Sequence, residues 1–245
     1  MHAWYAWALA ASILLAGCGG ILEPKYEYEE ELYLALDGSV TVYVHASIPA
    51  LVALRGASFD VRPRARLNRE AVRALFQWPG VEVASVTTSR RDGRRFVHVR
   101  IDAADVRQLA KVAPLGWSTY RFERGNGLFE YHQVVGAPNV RPVGDVGWTG
   151  KEIVSFRLHL PSQIPFHNSP SRIERGNILT WEQTLTARLQ GVPLDLQVHM
   201  ETDSILSQTL VLFVSTIFAA ACAFVLVVWW IARKGRASEL AESRP

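Results

Sequence analysis

The stretch YEYEEELYLALDGSVTVYVHA, residues 26–46, decides the fold class because it contains two alternating strands joined by a turn. Apolar residues recur at every second position over much of both arms, which is the period of a half-buried β-strand. Asp37-Gly38 lies between the arms, and Asp-Gly in this position is a strong short-range signal for a hairpin. The sequence therefore predicts an antiparallel hairpin over 26–46.

The same reasoning predicts two further hairpins downstream. One covers 81–101 around the turn Arg91-Asp92-Gly93-Arg94, and the other covers 118–135 around Gly125-Asn126-Gly127. Strand-like patterns return in three later runs, at 153–160, 177–184 and 193–200. Three helical segments are predicted between the strands, at 49–55, at 69–78 behind the N-cap Asn68, and at 102–112. Hairpins with two or three inserted helices predict an α+β fold with a mainly antiparallel sheet.

The last part of the chain has the composition of a transmembrane helix. Residues 209–232 are almost wholly apolar and exceed the roughly 20 residues that cross a bilayer as a helix. Trp229 and Trp230 lie where an interfacial aromatic belt is expected, and Arg233, Lys234 and Arg236 follow. The positive-inside rule places the C-terminus in the cytoplasm. We therefore expect a membrane helix at 205–232 and a cytoplasmic tail at 233–245.

The N-terminal run Leu14-Leu15-Ala16-Gly17-Cys18 has the form of a bacterial lipobox. It follows a short apolar segment of the length of a signal-peptide core, although no Lys or Arg precedes that segment. The pattern predicts a signal peptide at 1–17 and a diacylglyceryl anchor on Cys18. An extracytoplasmic domain would then occupy 18–204, with a candidate subdomain joint at the Gly- and Pro-rich stretch 136–150. Two anchors with this topology predict retention in the cytoplasmic (inner) membrane, with membrane lipids as partners.

Charge is unevenly distributed in the extracytoplasmic part. Residues 19–204 carry 22 basic and 21 acidic side chains, so their net charge of +1 gives no nucleic-acid signature, and we expect no nucleic-acid partner. Residues 19–54 hold one Lys and six acids, whereas residues 55–107 hold twelve Arg and six acids. The only cysteines are Cys18 and Cys222, so no disulfide is expected within the domain.

The arginines of 55–107 form two groups in sequence. The first is Arg62, Arg64, Arg66, Arg69 and Arg73, and the second is Arg90, Arg91, Arg94 and Arg95. Arginine suits bidentate contacts to phosphate, and a tethered domain has anionic head groups nearby. We name the second group as candidate head-group ligands. The alternative is a solvated face whose arginines form salt bridges with the acidic N-terminal segment.

Catalytic patterns are missing from the sequence. It contains no Gly-rich phosphate loop, HExxH pair, CxxC pair or GxSxG elbow, and we expect no catalytic residue, metal or cofactor. His98, His159 and His199 each occupy the polar side of an alternating strand, which predicts solvent-facing histidines. Glu29-Glu30-Glu31 is interpreted as a solvated strand or sheet edge.

One segment resembles a known family. A strand ending at Leu160-Pro161 leads to His167-Asn168-Ser169 and then to Arg175-Gly176-Asn177-Ile178-Leu179-Thr180-Trp181. This layout resembles the LppM-like family of bacterial membrane lipoproteins, which combine a lipobox, an α+β ectodomain and one C-terminal membrane helix. The chain departs from the family in its missing basic N-terminal residues and its Arg-rich insert at 55–73. One member is associated with envelope glycolipids, so the resemblance implies a lipid-binding or envelope role, without catalytic residues to carry over.

Three hypotheses follow for function. The preferred one is a non-enzymatic, doubly anchored envelope lipoprotein that binds lipid, glycolipid or a partner protein. The second is an accessory subunit of a membrane complex that uses the small residues at 219–223 of its helix as a contact. The third is an extracytoplasmic hydrolase of envelope polymers, which would require His98, Asp102, His132 or His167 to converge.

Overall fold

The computed structural model of the chain describes residues 25–242, without the side chains of 206–208 and 232–242. Cys18 and the predicted signal peptide at 1–17 therefore lie outside the described residues. The described part contains ten strands, numbered in chain order: β1 Lys25–Leu34, β2 Val40–Ser47, β3 Val81–Arg91, β4 Arg94–Ala103, β5 Ser118–Gly125, β6 Leu128–Val135, β7 Glu152–His159, β8 Phe166–His167, β9 Ile178–Thr184 and β10 Leu194–Glu201.

The strands form two sheets. Six strands make the first sheet in the order β3-β4-β2-β1-β7-β9, and four make the second in the order β5-β6-β10-β8. All neighbouring strands are antiparallel except β1 and β7, which run parallel with Lys25 opposite Glu152 and Tyr33 opposite His159. The α+β class with mainly antiparallel pairing is confirmed, while the single sheet suggested by the sequence is divided into two.

All three hairpins are confirmed, and each connection contains left-handed backbone, with a φ of 86° at Gly38 in the first. Asp92 and Gly93 have φ of 50° and 73°, and Asn126 and Gly127 have φ of 52° and 78°. Asn, Asp and Gly tolerate positive φ, which two-residue hairpin loops of the I′ type need at both central positions. These short sequence signals therefore fix the register of β3 with β4 and of β5 with β6.

The helical segments are α1 Ile48–Arg55, α2 Arg69–Phe76, a 3₁₀ turn Val106–Lys111, α3 Leu185–Leu189 and α4 Ile205–Glu242. Asn68 caps α2 as predicted, since its Oδ1 accepts from Glu70 N at 2.9 Å. The helix predicted at 102–112 is wrong in length and type. Asp102 still pairs with Thr41 in the sheet, and the Asp105 side chain caps the 3₁₀ turn that follows.

The core fills the space between the inner faces of the sheets and the short helices. The inner face of the first sheet includes Leu32, Val42, Val99 and Phe156, all buried. Its outer face carries the alternate side chains, which are largely polar. Because β1 is an inner strand of this sheet, the interpretation of Glu29-Glu30-Glu31 as a solvated strand or edge is wrong: Glu30 is fully buried and faces the core.

The segment behind the family resemblance is a junction between the two sheets. The buried Trp181 of β9 donates from Nε1 to Asn168 Oδ1 at 3.1 Å. Asn168 also accepts from Gln197 N at 2.9 Å and donates to Asp195 O at 3.0 Å, which ties it to β10. Asn177, in the left-handed region, donates from Nδ2 to Ser162 O at 2.7 Å. The contacts of this segment give it a structural role, which is the role that its turn residues indicated in the sequence.

Helix α4 leaves the domain after β10. Ile205 N donates to Pro161 O at 3.0 Å, so the helix begins beside the chain that follows β7. Its segment Thr209–Ile231 has 23 residues and a mean hydropathy of 2.8, with none of that window buried, and is long and apolar enough to cross a membrane. Trp229 and Trp230 lie near its end, about half exposed. The side chains of Arg233, Lys234 and Arg236 are outside the described part of the chain.

Candidate anion-binding pocket

The two arginine groups of the sequence meet in one concavity. A pocket of about 500 Å³ lies between the loop at 64–67, the start of α2 and the ends of β3 and β4. Its lining consists of five arginines and four small or apolar residues: Arg64, Arg66, Arg69, Arg90, Arg95, Ala65, Leu67, Thr88 and Ser89. None of these nine residues is acidic, so the positive charge of the arginine pocket is not neutralised within its lining.

Arg95 forms the buried wall of the arginine pocket. Its side chain is only 6% exposed, and it donates from Nη1 to Ala65 O at 2.9 Å and from Nη2 to Asp60 O. Its Nε is buried and has no hydrogen-bond partner among the described residues. Burial lowers the pKa of the Arg95 guanidinium, while the charge of Asp60 acts in the opposite direction. These bonds attach the 60–65 loop to β4 and hold one side of the pocket in place.

The remaining pocket arginines are accessible to a ligand. Arg64, Arg66, Arg69 and Arg90 are all exposed. The β3–β4 pairing places Arg90 directly opposite Arg95, so the register of one hairpin sets an exposed arginine opposite a buried one. Arginine presents a planar fork of donors that matches phosphate and carboxylate oxygens. The pocket therefore offers several convergent donors to one anion.

The four arginines named from the sequence have different positions. Arg90 and Arg95 line the pocket, whereas Arg91 lies outside its lining, donates to Tyr26 O and stacks over Phe96 at 4.6 Å. Arg94 is buried and pairs with the buried Glu27, with 2.8 Å between Nη2 and Oε1. For Arg94 the alternative interpretation is the one that the structure supports, because it forms a salt bridge with the acidic N-terminal segment. The other arginines of the pocket lining come from the first sequence group and are Arg64, Arg66 and Arg69.

Two other cavities are less suited to an anion. One of about 630 Å³ lies at the opposite end of the first sheet and contains the carboxylates Glu82 and Asp102. Another of about 470 Å³ lies beside the arginine pocket and contains the carboxylates Asp92 and Asp145. We place the candidate site in the arginine-lined pocket because its charge is complementary to an anion.

A second charged cluster is buried in the core. Glu30 Oε1 accepts from Tyr28 Oη at 2.7 Å and from Trp117 Nε1 at 2.9 Å. Arg55 and Arg188 stack on Trp117, at 4.6 and 4.9 Å from the ring centre. Burial raises the pKa of Glu30, and these hydrogen bonds and the arginine charges counter that effect. Among the described residues Glu30 Oε2 and Arg188 Nε are buried without a hydrogen-bond partner. The contacts that the cluster does make join the first sheet to the chain after the 3₁₀ turn, so we assign it a packing role.

The outer face of the first sheet carries a histidine pair. His45 and His98 lie opposite each other on β2 and β4, with 2.8 Å between their Nδ1 atoms. His98 Nε2 also lies 2.7 Å from Ser89 Oγ. One ring must donate and the other accept across the Nδ1 contact, so the pair is stable only while one of these nitrogens lacks a proton. The solvent-facing histidine predicted at 98 is in fact half-buried and engaged.

This pair predicts acid-sensitive stability. Burial lowers the pKa of both His45 and His98. The charge of Glu31 opposes the shift of the His45 pKa, whereas the charges of His45 and Arg91 add to the shift of the His98 pKa. Below about pH 6.5 the unfolded chain binds protons that the folded pair resists, so stability falls as the pH falls. We expect the urea midpoint of fragment 19–204 to drop more between pH 8 and pH 5.5 than that of His45→Gln/His98→Gln. His199→Gln serves as the control, and equal drops would contradict the prediction.

The histidines and carboxylate of the hydrolase hypothesis do not converge. His98 and Asp102 belong to the first sheet, whereas His132 and His167 belong to the second and are separated by β10. His132 instead pairs with Asp195 at 2.6 Å. Within residues 25–242, as far as their side chains are described, no group of three or more His, Cys, Asp or Glu residues could hold a metal ion. The geometry gives the hydrolase hypothesis no support.

Comparisons with known proteins give one fold likeness. No family model matches the chain, and no curated protein matches it. A solved structure that is similar is the NMR structure of the folded domain of LppM from Mycobacterium tuberculosis. The match has a TM-score of 0.42 and 13% identity, and it covers 76% of this chain and 95% of that domain. A likeness of this degree carries no argument about the family, the ligand or the activity of this chain.

Proposed function

We propose that this protein is a non-enzymatic, membrane-anchored extracytoplasmic lipoprotein that binds the anionic head group of an envelope lipid or glycolipid in the arginine pocket. The observation that carries the proposal is a cavity of about 500 Å³ lined by five arginines and by no carboxylate. The anion that suits it is a phosphate group, since phosphate offers several oxygens to arginine donors.

The anchoring part of the proposal is supported by composition. The lipobox at Cys18 and the apolar segment Thr209–Ile231 lie on opposite sides of the folded domain in sequence. A lipid on Cys18 would add to a spanning helix, which alone binds a membrane effectively irreversibly. With the C-terminal basic residues inside the cell, the domain would face the extracytoplasmic leaflet. Head groups of that leaflet would then be available as ligands.

Removal of the exposed pocket arginines is expected to weaken head-group binding. Arg64→Ser/Arg66→Ser/Arg90→Ser removes three guanidiniums while leaving the buried Arg95 in place. A hydrogen bond to a charged group contributes about 1.5–3 kcal/mol, so the loss of even one such bond corresponds to about tenfold to 150-fold in affinity, and the triple variant should lose at least that much. Calorimetry on the full chain in uncharged detergent measures the affinity for dihexanoyl phosphatidylglycerol. The same titration with dihexanoyl phosphatidylcholine tests whether binding depends on the net negative charge of the lipid.

A matched variant controls for net charge. Arg121→Ser/Arg124→Ser/Arg172→Ser removes three exposed arginines that lie away from the pocket. We expect this variant to bind phosphatidylglycerol as the unmodified chain does. Equal weakening by both triple variants would mean that general charge and not the pocket attracts the lipid, and an unmodified chain that binds neither lipid would refute the proposed function.

A further inference from the structure

The first sheet has two distinct ends, and the anchors are attached to opposite ones. Lys25, Arg94 and Glu152 lie at one end, which we call the pocket end because Arg90 and Arg95 are there. Leu34, Val40, Ala103 and His159 lie at the other end, which we call the helix end. It carries this name because α4 starts beside Pro161, two residues beyond β7.

The helix end adjoins the start of α4 and therefore lies near the membrane that α4 would cross. The apolar segment begins at Thr209, about one helical turn after Ile205. The ten residues of β1 span about 33 Å, so an upright sheet would hold the pocket end about 33 Å from the head groups. Charges separated by that distance are screened, since the Debye length is about 8 Å at physiological ionic strength. An upright domain could not use its arginine pocket on that membrane.

The length of chain before β1 sets a limit on this orientation. Cys18 is seven residues from Lys25, and seven residues reach at most about 25 Å even when fully extended. A lipid on Cys18 in the same leaflet therefore cannot be joined to a pocket end that stands about 33 Å above the membrane. The strands must tilt by at least about 40° from the membrane normal to bring Lys25 within reach.

We propose that the Cys18 lipid and α4 together hold the domain along the membrane, so that its pocket end docks on the anionic lipid surface. The inference rests on the double anchoring of the proposed function and names the surface that the pocket faces. Charge complementarity supports it, because Arg64, Arg66, Arg69, Arg90 and Arg91 are exposed at this end. Lipidation at Cys18 is then what brings the pocket to its ligand.

The orientation is tested by fluorescence quenching with the full chain in vesicles. Cys222→Ala supplies a background without a free thiol in α4, and a fluorophore is attached through Lys151→Cys at the pocket end or Glu82→Cys at the helix end. Both positions are exposed. The vesicles contain phosphatidylcholine and phosphatidylglycerol with a nitroxide on a fraction of the head groups. Mass spectrometry confirms the acyl groups on Cys18.

The lipidated chain is expected to show quenching at both labels. Cys18→Ser should leave the helix-end label quenched and reduce quenching of the pocket-end label at least threefold. A pocket-end label that is unquenched in an acylated chain, or equally quenched with Cys18→Ser, overturns the inference and leaves head-group binding by the pocket standing. Absence of acyl groups on Cys18 overturns the double anchoring itself, and with it the inference.

Discussion

Replacing Glu27 with alanine is expected to lower the free energy of unfolding by about 3–5 kcal/mol, because it leaves a buried guanidinium without its counter-charge. Glu27 is fully buried and Arg94 is 7% exposed. Glu27 also accepts from Trp148 Nε1 at 3.2 Å, so its removal breaks a second contact. A loss of this size is a large share of the roughly 5–15 kcal/mol that stabilises a domain.

Urea unfolding of fragment 19–204 measures this loss. Glu123→Ala is the matched control, because that carboxylate is exposed and only 3.8 Å from an exposed Arg121, and such pairs contribute at most about 1 kcal/mol. Glu27→Met/Arg94→Met removes both charges and should recover most of the lost stability. A Glu27→Ala variant as stable as Glu123→Ala would show that the pair is not buried in solution.

Replacing Trp181 with alanine is the second large expected loss, at about 3–5 kcal/mol. Trp181 is 2% exposed, and it lies on β9 at the junction of the two sheets. The substitution creates a cavity and also removes one of the two donors to Asn168 Oδ1. The effect should reach β10 as well, since Asn168 holds that strand through Gln197 N and Asp195 O.

A series of variants separates volume from hydrogen bonding at this position. Trp181→Phe keeps most of the apolar volume and loses the indole donor, so we expect a smaller loss, of the order of 1–3 kcal/mol. Trp78→Ala is the control, because Trp78 is 43% exposed and its removal should cost little. If Trp181→Ala and Trp78→Ala unfold at the same urea concentration, Trp181 does not have the packing role assigned to it.

The parts of the fold that could be predicted from the sequence are those with local signals. Asp92-Gly93 and Asn126-Gly127 form their turns because few other residues accept positive φ, and Asn68 caps α2 through its own side chain. These signals need no knowledge of distant residues. The strand alternation around them likewise specifies which side chains face the core.

What the sequence could not show depends on contacts between distant segments. The parallel pairing of β1 with β7 joins residues more than 120 positions apart, and no local pattern reports it. That pairing makes β1 an inner strand, which is why Glu30 is buried although three consecutive glutamates indicate a solvated strand. A long-range contact also accounts for the burial of Arg94, which pairs with Glu27 of β1.

The sequence named Arg90, Arg91, Arg94 and Arg95 as candidate head-group ligands. The structure places Arg90 and Arg95 opposite each other across the hairpin and in the lining of the arginine pocket, and it places Arg91 and Arg94 outside that lining. The sequence could not show that Arg64 and Arg66 fold back against that hairpin, because the loop is held by Arg95 bonds to backbone oxygens of Ala65 and Asp60. Head-group binding itself remains a proposal at every one of these residues.

The most direct test of the account is an NMR titration of the arginine Nε–Hε signals of fragment 19–204 with dihexanoyl phosphatidylglycerol. The arginine pocket predicts saturable shifts for Arg64, Arg66, Arg69, Arg90 and Arg95, with the signals of Arg121 and Arg124 unchanged. Shifts spread evenly over all exposed arginines, or no shift at any lipid concentration, would contradict the assignment of the pocket as the anion-binding site.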